Sequence, residues 1–300
     1  MPESLLSVIF GGIMPRRWHL VVLSLLAVLA LACEGGAGAA DPEATKPRTR
    51  PPAQGYPSSM AALGDSITAG VGSCLAYLAC SRNSWSTGAD GDVESHYRRI
   101  LAKNSKIKGN VHNFAVPGAE ADGLAAQATR AVEAKVAYVT VLIGANDACA
   151  PSAGAMTSVP AFRAAVDRGL ARLRRGLPKA RVLVVSIPDL YRLWRVGRDD
   201  AEVVRAWNAG KICQSMLADP TSTAGAAEKR RRAVRDRIDA YDGELREACE
   251  AYGSRCRWDG GRVHDVRFDL DLVNTFDFFH PNLKGQNALA EATYPDRFTW

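Results

Sequence analysis

Four short segments of this chain carry residue types able to act on a substrate. They are Gly64-Asp65-Ser66, Asn113-Phe114-Ala115-Val116-Pro117-Gly118, Gly144-Ala145-Asn146-Asp147 and Asp277-Phe278-Phe279-His280-Pro281. A serine is a nucleophile only when a base takes its proton and donors hold the oxyanion that its attack creates. Asp277 stands three residues before His280. At that spacing one turn of chain puts the carboxylate beside Nδ1 and leaves Nε2 to face Ser66, giving nucleophile, orienter and base in the order Ser…Asp…His. Singly, each segment has a bland explanation: Asp-Ser after a strand caps a helix, Pro-Gly turns a chain, Asn-Asp caps a turn, and His-Pro ends a loop.

Placement on elements changes that weighing. Met60–Leu63, Val111–Ala115, Val136–Ile143 and Arg181–Ile187 read as strands, and Val263–Phe268 as a last one. The β-branched run Val136–Ile143 suits a strand buried on both faces. Between them, Val93–Lys103, Glu120–Ala134, Val159–Leu177, Val203–Leu217, Ala226–Tyr252 and Asn282–Ala292 read as helices. The residues after Gly64-Asp65-Ser66 can start a helix, and Gly70–Asp92 and Gly144–Asp147 read as loops. Strands alternating with helices predict an α/β fold, a parallel sheet covered on both faces in a three-layer α/β/α sandwich. Three of the four segments follow strands, so they converge at the carboxyl edge where such sheets hold their sites.

The chain has 300 residues, a formal net charge of +6 and seven cysteines. The mild basicity favours acidic surfaces in general and specifies no nucleic acid. Arg16 and Arg17 precede the apolar run Leu20–Ala32, too short to cross a bilayer comfortably and suited to an export leader. Met14 is a plausible start, and Ala37-Gly38-Ala39 fits a cleavage site; cleavage before a lipidated Cys33 is the alternative. The expected layout is a leader over 1–39, a Pro- and Gly-rich linker over 40–57 and one domain over 58–300. Without Cys33 six cysteines remain, which allow 15 pairings. The short spacings make Cys74–Cys80 and Cys249–Cys256 natural pairs, which leaves Cys149–Cys213; buried free thiols are the other reading.

The four segments, in this order, resemble the conserved blocks of the SGNH, or GDSL, hydrolase family. Gly64-Asp65-Ser66-Ile67 is similar to the nucleophile block, Gly118 to the oxyanion-glycine block, Gly144-Ala145-Asn146-Asp147 to the Gly-x-Asn-Asp block, and Asp277-x-x-His280-Pro281 to the acid-base block. The leader, the cysteines and Ile187-Pro188-Asp189-Leu190-Tyr191 also resemble the secreted bacterial lipase/esterase branch. The resemblance runs from about 58 to 293 and implies a flavodoxin-like sandwich and an acyl-enzyme mechanism. It implies Ser66, Asp277 and His280 as the triad, with the backbone N–H groups of Ser66 and Gly118 and the Asn146 amide as oxyanion donors. Metal and cofactor are not expected. The substrate expected is a small-molecule or lipid ester, with transient contact to a lipid surface and no nucleic-acid partner, for an exported monomer. The alternatives are a carbohydrate O-deacetylase or an acyltransferase on the same fold, and a catalytically silent surface-binding protein.

Other reactive residues weigh less. Asp65 is expected to support its loop, and His96 and His112 to be structural or superficial. His264 near Asp265, Asp269 and Asp271 is read as part of a solvated strand rather than a metal site. Lys229-Arg230-Arg231-Arg232 is read as a solvated helix face. Trp85, Trp194 and Trp207 are core residues or the lining of an acyl groove; spacing leaves both open.

Overall fold

The computed structural model describes residues 55–74, 76–295 and 297–300. The leader, most of the linker and Cys33 lie outside them. In chain order the elements are β1 (Met60–Gly64), α1 (His96–Leu101), β2 (Val111–Asn113), α2 (Leu124–Glu133), β3 (Tyr138–Leu142), α3 (Ala145–Ala148), α4 (Val159–Gly176), β4 (Arg181–Val184), α5 (Leu190–Gly197), α6 (Ala201–Gly210), α7 (Gln214–Leu217), α8 (Gly225–Tyr252), β5 (Cys256–Trp258) and α9 (Leu283–Thr293).

The strands form one parallel sheet in the order β2-β1-β3-β4-β5. β1 and β3 are buried along their whole length, as strands covered on both faces must be. The order reverses between β1 and β3, so the carboxyl end of this pair is the topological switch point, where open α/β sheets leave a crevice. Ser66 follows β1 and Asn146 follows β3.

Helices α2, α4 and α8 pack together. Phe162 of α4 stacks on Tyr241 of α8 at 4.0 Å between ring centroids, a pair contributing about 0.5–1.5 kcal/mol beyond its buried area. A side chain at Gly169 of α4 would stand 2.6 Å from Leu124 of α2, so the glycine sets how closely these helices approach. Helices α1 and α9 are joined through fully buried His96, whose ring nitrogens meet the Tyr138 hydroxyl of β3 at 3.0 Å and Thr293 of α9 at 2.9 Å. Burial holds His96 neutral by lowering its pKa to about 3, so it is a packing residue.

Several expectations need correction. The fifth strand is Cys256–Trp258, not Val263–Phe268, which is a run of turns. Alternation in Val263–Phe268 imitates a strand, but Asp259 accepts the Val263 and Gly261 N–H groups and folds the segment back. Gly144–Asp147 is not a loop: α3 begins at Ala145 directly after β3. Val203–Leu217 is two helices, broken where Lys211 and Cys213 take left-handed backbone angles of 49° and 39°. Residues 65–74 are turns and bends, not a helix. The cysteines pair as Cys74–Cys80, Cys149–Cys213 and Cys249–Cys256.

Candidate active site

β1 delivers the serine through a turn clamped on both sides. Gly64 has φ of +148°, and a Cβ there would stand 2.2 Å from the Leu142 carbonyl oxygen of β3, so only glycine lets the two strands stay paired to their ends. Buried Gln127 of α2 accepts from the Gly64 N–H at 2.7 Å and donates to the Gly64 carbonyl at 2.9 Å. Buried Gln286 of α9 donates to the Ile67 carbonyl at 2.9 Å and accepts from the Trp85 N–H at 2.8 Å. Between these amides the chain turns sharply: Ala69 N–H donates to the Asp65 carbonyl and Val71 N–H to the Ser66 carbonyl, both at 2.9 Å. Asp65 Oδ1 accepts the Ile67 N–H at 2.9 Å. Asp65 is therefore a turn residue, as expected; among the described residues its other oxygen has no hydrogen-bond partner, and burial pushes its pKa up to about 7.

The acid-base loop is organised by a residue that the sequence reading missed. Asn274 accepts the N–H groups of Phe276 and Asp277 and donates to Asp277 Oδ1 and the His280 carbonyl. Asp277 Oδ1 also accepts the N–H groups of Phe279 and His280, at 2.9 and 3.0 Å. The remaining Asp277 oxygen, Oδ2, lies 2.5 Å from His280 Nδ1, and His280 Nε2 lies 2.8 Å from Ser66 Oγ. This network places the imidazole proton on Nδ1 and leaves Nε2 to accept from the serine hydroxyl. Burial works against the Asp277 charge, but the bonds and charge of His280 and the backbone donors hold its pKa below the ordinary carboxylate value. Phe278 pays for the tight loop with a left-handed φ of 51°, and the Trp207 indole N–H holds its carbonyl at 3.1 Å. An Asn three residues before Asp is a turn signal that was available in the sequence; Trp207, 71 residues away, left no such signal.

Gly118 lies on the loop after β2, with φ of +78° and open space where a side chain would point. The loop is tied to the serine turn by Val116 N–H, which donates to the Gly64 carbonyl at 3.0 Å. It is tied to α3 by Asn146, whose Nδ2 donates to the Ala119 carbonyl at 2.9 Å. That bond uses one amide hydrogen and leaves the second available. Among the described residues the Ser66 and Gly118 N–H groups have no acceptor. Asp147 accepts the Ala121 N–H at 2.9 Å, and burial raises its pKa to about 6.

An apolar pocket is lined by Leu190, Leu193, Phe268 and by Ile67, Phe279 and Pro281, the residues next in sequence to Ser66 and His280. A more polar groove lined by Val116, Gly118, Glu120, Asp122 and Arg130 lies beside the candidate oxyanion glycine. The tryptophans do not line the pocket: Trp85, Trp194 and Trp207 are buried in the core. Among the described residues His264 forms no ion pair with Asp265, Asp269 or Asp271; its Nδ1 meets the Ile187 carbonyl at 3.0 Å, with Asp242 at 3.5 Å. Among the described residues no group of three or more His, Cys, Asp or Glu side chains is placed to hold a metal ion. The basic run is not uniformly solvated, because Arg231 is 1 % exposed, over the Trp194 ring at 4.1 Å and paired with Glu228.

The fold is similar to that of a candidate GDSL-like lipase from Parabacteroides merdae, at a TM-score of 0.50 and 16 % identity over 81 % of this chain and 96 % of that one. An extracellular lipase from Streptomyces rimosus matches at a TM-score of 0.46 and 17 % identity, over 78 % of this chain and 99 % of that one. No curated protein matches in sequence. A family model, that of the GDSL-like lipase/acylhydrolase family, matches residues 62–288, which run from β1 into α9 and include all four reactive segments. The chain therefore belongs to the GDSL-like lipase/acylhydrolase family.

Proposed function

We propose that this protein is an exported serine hydrolase of carboxylic esters that works through an acyl-enzyme on Ser66. The observation that carries the reading is the unbroken line Asp277 Oδ2–His280 Nδ1 at 2.5 Å and His280 Nε2–Ser66 Oγ at 2.8 Å. His280 takes the serine proton as Oγ attacks the ester carbonyl, and Asp277 stabilises the imidazolium that forms. The Ser66 and Gly118 N–H groups and the free Asn146 amide hydrogen receive the oxyanion. His280 then protonates the leaving alcohol, and water attacks the acyl-enzyme with the same residue as base. Side chains and backbone supply every step. The paired cysteines support export.

Residues 40–300, oxidised, are assayed on p-nitrophenyl esters from acetate to palmitate beside Ser66→Ala. The expected result is hydrolysis that falls about 10⁴-fold or more in the variant. The chain-length optimum then separates a lipase from a short-chain esterase or O-deacetylase, and added alcohol tests for acyl transfer. Undiminished turnover by Ser66→Ala overturns the serine mechanism. A folded protein that hydrolyses no ester but binds a surface is the silent binding protein.

A further inference from the structure

Among the described residues four large apolar side chains are exposed: Tyr77, Leu78, Val116 and Phe276, at 52, 55, 45 and 51 %. None of them lies on a helix or strand, and all four stand on loops that carry or adjoin the candidate site. Val116 lies two residues before Gly118, and its N–H donates to the Gly64 carbonyl. Phe276 directly precedes Asp277, and Asn274 accepts its N–H at 2.8 Å. Tyr77 and Leu78 lie between Cys74 and Cys80, which are bonded to each other. Gly72 N–H donates to the Leu78 carbonyl and Cys80 N–H to the Ala69 carbonyl, so this loop is fastened to the turn that carries Ser66. The Tyr77 ring lies 6.3 Å from that of Phe276 and 6.0 Å from that of His280. Apolar side chains exposed singly need no explanation, but a group gathered beside one site marks a surface that is covered in use.

The chemistry beneath the patch decides what covers it. A protein seated on Tyr77 and Phe276 would close the approach to His280 and Ser66. A lipid surface covers the same rings and supplies an ester. The apolar pocket lined by Ile67, Phe279 and Pro281 suits the acyl chain of such an ester. We propose that Tyr77, Leu78 and Phe276 dock the enzyme on a lipid surface, and that its substrate is a lipid ester drawn from that surface. The inference rests on the Ser66 hydrolase reading for its substrate. Apolar contact holds the docked state, because the groove that includes Phe276 mixes Arg82 and Lys284 with Asp90, Asp92 and Asp271 and presents no single sign of charge to a headgroup.

The test uses oxidised protein over residues 40–300, which holds every element described and leaves out the apolar run Leu20–Ala32, itself able to bind lipid. Binding is read by flotation with phosphatidylcholine vesicles in the Ser66→Ala background, so that no turnover is needed. Leu78→Ser and Phe276→Ser, each with its melting temperature measured, are expected to weaken association about tenfold. Association is expected to survive high salt and to be unchanged in Lys229→Gln/Arg232→Gln on the exposed basic face. With Ser66 present, the ratio of turnover of p-nitrophenyl palmitate in vesicles to that of dissolved p-nitrophenyl acetate should fall by the same factor. Absence of vesicle binding overturns the proposal, as does binding that Leu78→Ser and Phe276→Ser leave intact. Binding lost in salt or in Lys229→Gln/Arg232→Gln assigns the contact to charge and overturns it too. A dimer in sedimentation that Leu78→Ser dissociates gives the patch to a second copy of the chain, with the same consequence. Ser66-dependent hydrolysis of the acetate without vesicle binding defeats only this inference, whereas patch-dependent binding with no ester turned over defeats only the Ser66 reading.

Discussion

Asn146 shows how little freedom a single side chain has at this site. Its amide has two hydrogens, and the Ala119 carbonyl takes one of them at 2.9 Å. That bond aims the other and also ties α3 to the loop of Gly118. Asn146→Ala is expected to lower kcat about 10²–10³-fold with KM little changed, read from steady-state kinetics, because the lost donor matters only once the oxyanion forms. Asn146→Asp should do no better, since a carboxylate repels the charge it would have to hold. Asp65 behaves differently. It is fully buried with one oxygen unpartnered among the described residues, and the bond that matters to the turn goes from the Ile67 N–H to the other oxygen.

At the scale of elements, the serine turn is held by helices remote in sequence. Gln127 satisfies both polar groups of Gly64 from α2, and Gln286 joins Ile67 to Trp85 from α9. Gln127→Ala strips a buried N–H of its partner, at a cost of about 1–3 kcal/mol. The expected result in denaturant titration is a lower midpoint at unchanged slope, with activity reduced because Ser66 is two residues from the lost clamp. The Cys149–Cys213 bond joins elements on the side of the candidate oxyanion donors. Cys149 directly follows α3, and Cys213, 64 residues on, precedes α7. Ser215 N–H and hydroxyl also bind back to the Ala150 and Ala148 carbonyls. Closing a loop of that length is worth about 4 kcal/mol in the chain-entropy account. Reduction should lower both the melting temperature and ester turnover; if neither changes, the bond has no part in holding the oxyanion loop.

For the whole molecule, the buried carboxyls of Asp65 and Asp147 and the half-buried one of Asp242 give an unusual dependence of stability on pH. Burial raises Asp65 to about 7, Asp147 to about 6 and Asp242 to about 8, from an ordinary value of 3.8, the last helped by the charges of Asp259 and Asp239. A raised pKa means that the folded state holds a proton that the unfolded chain releases. The contribution is complete below about pH 4 and is lost as pH climbs through 6 to 8. Asp277 acts in the opposite sense, its support being lost as pH falls. Asp242→Asn keeps an acceptor for the Ile187 N–H and removes the charge. Its melting temperature should exceed that of the wild type at pH 8, by an amount on the order of a few kcal/mol in stability, and converge with it toward pH 4. A constant difference across that range would show that Asp242 does not titrate on unfolding.

The candidate site was legible because its segments are local. Ser66 and the Asp277–His280 pair each sit in a short segment whose residue types and spacing suggest a nucleophile, an acid and a base, and Gly118 and Asn146 were named by the resemblance of their short segments to family blocks. Strands buried on both faces were legible for the same reason, since a continuous β-branched run such as Val139–Val141 has few other uses. What only the tertiary structure decided are interactions between segments far apart. Gln127, Gln286 and Trp207 are ordinary helix residues until the fold sets them on Gly64, Ile67 and Phe278. Tyr77 is an ordinary loop tyrosine until the fold brings the His280 ring edge-on to it at 6.0 Å between centroids. The misplaced fifth strand has the same origin. Val263–Phe268 has the alternation and Cys256–Trp258 barely has the length, but β4 pairs with the segment that the long helix α8 and the Cys249–Cys256 bond return to its edge. Periodicity reports how a segment would bury its own side chains. Which edge it reaches depends on connections that periodicity does not encode.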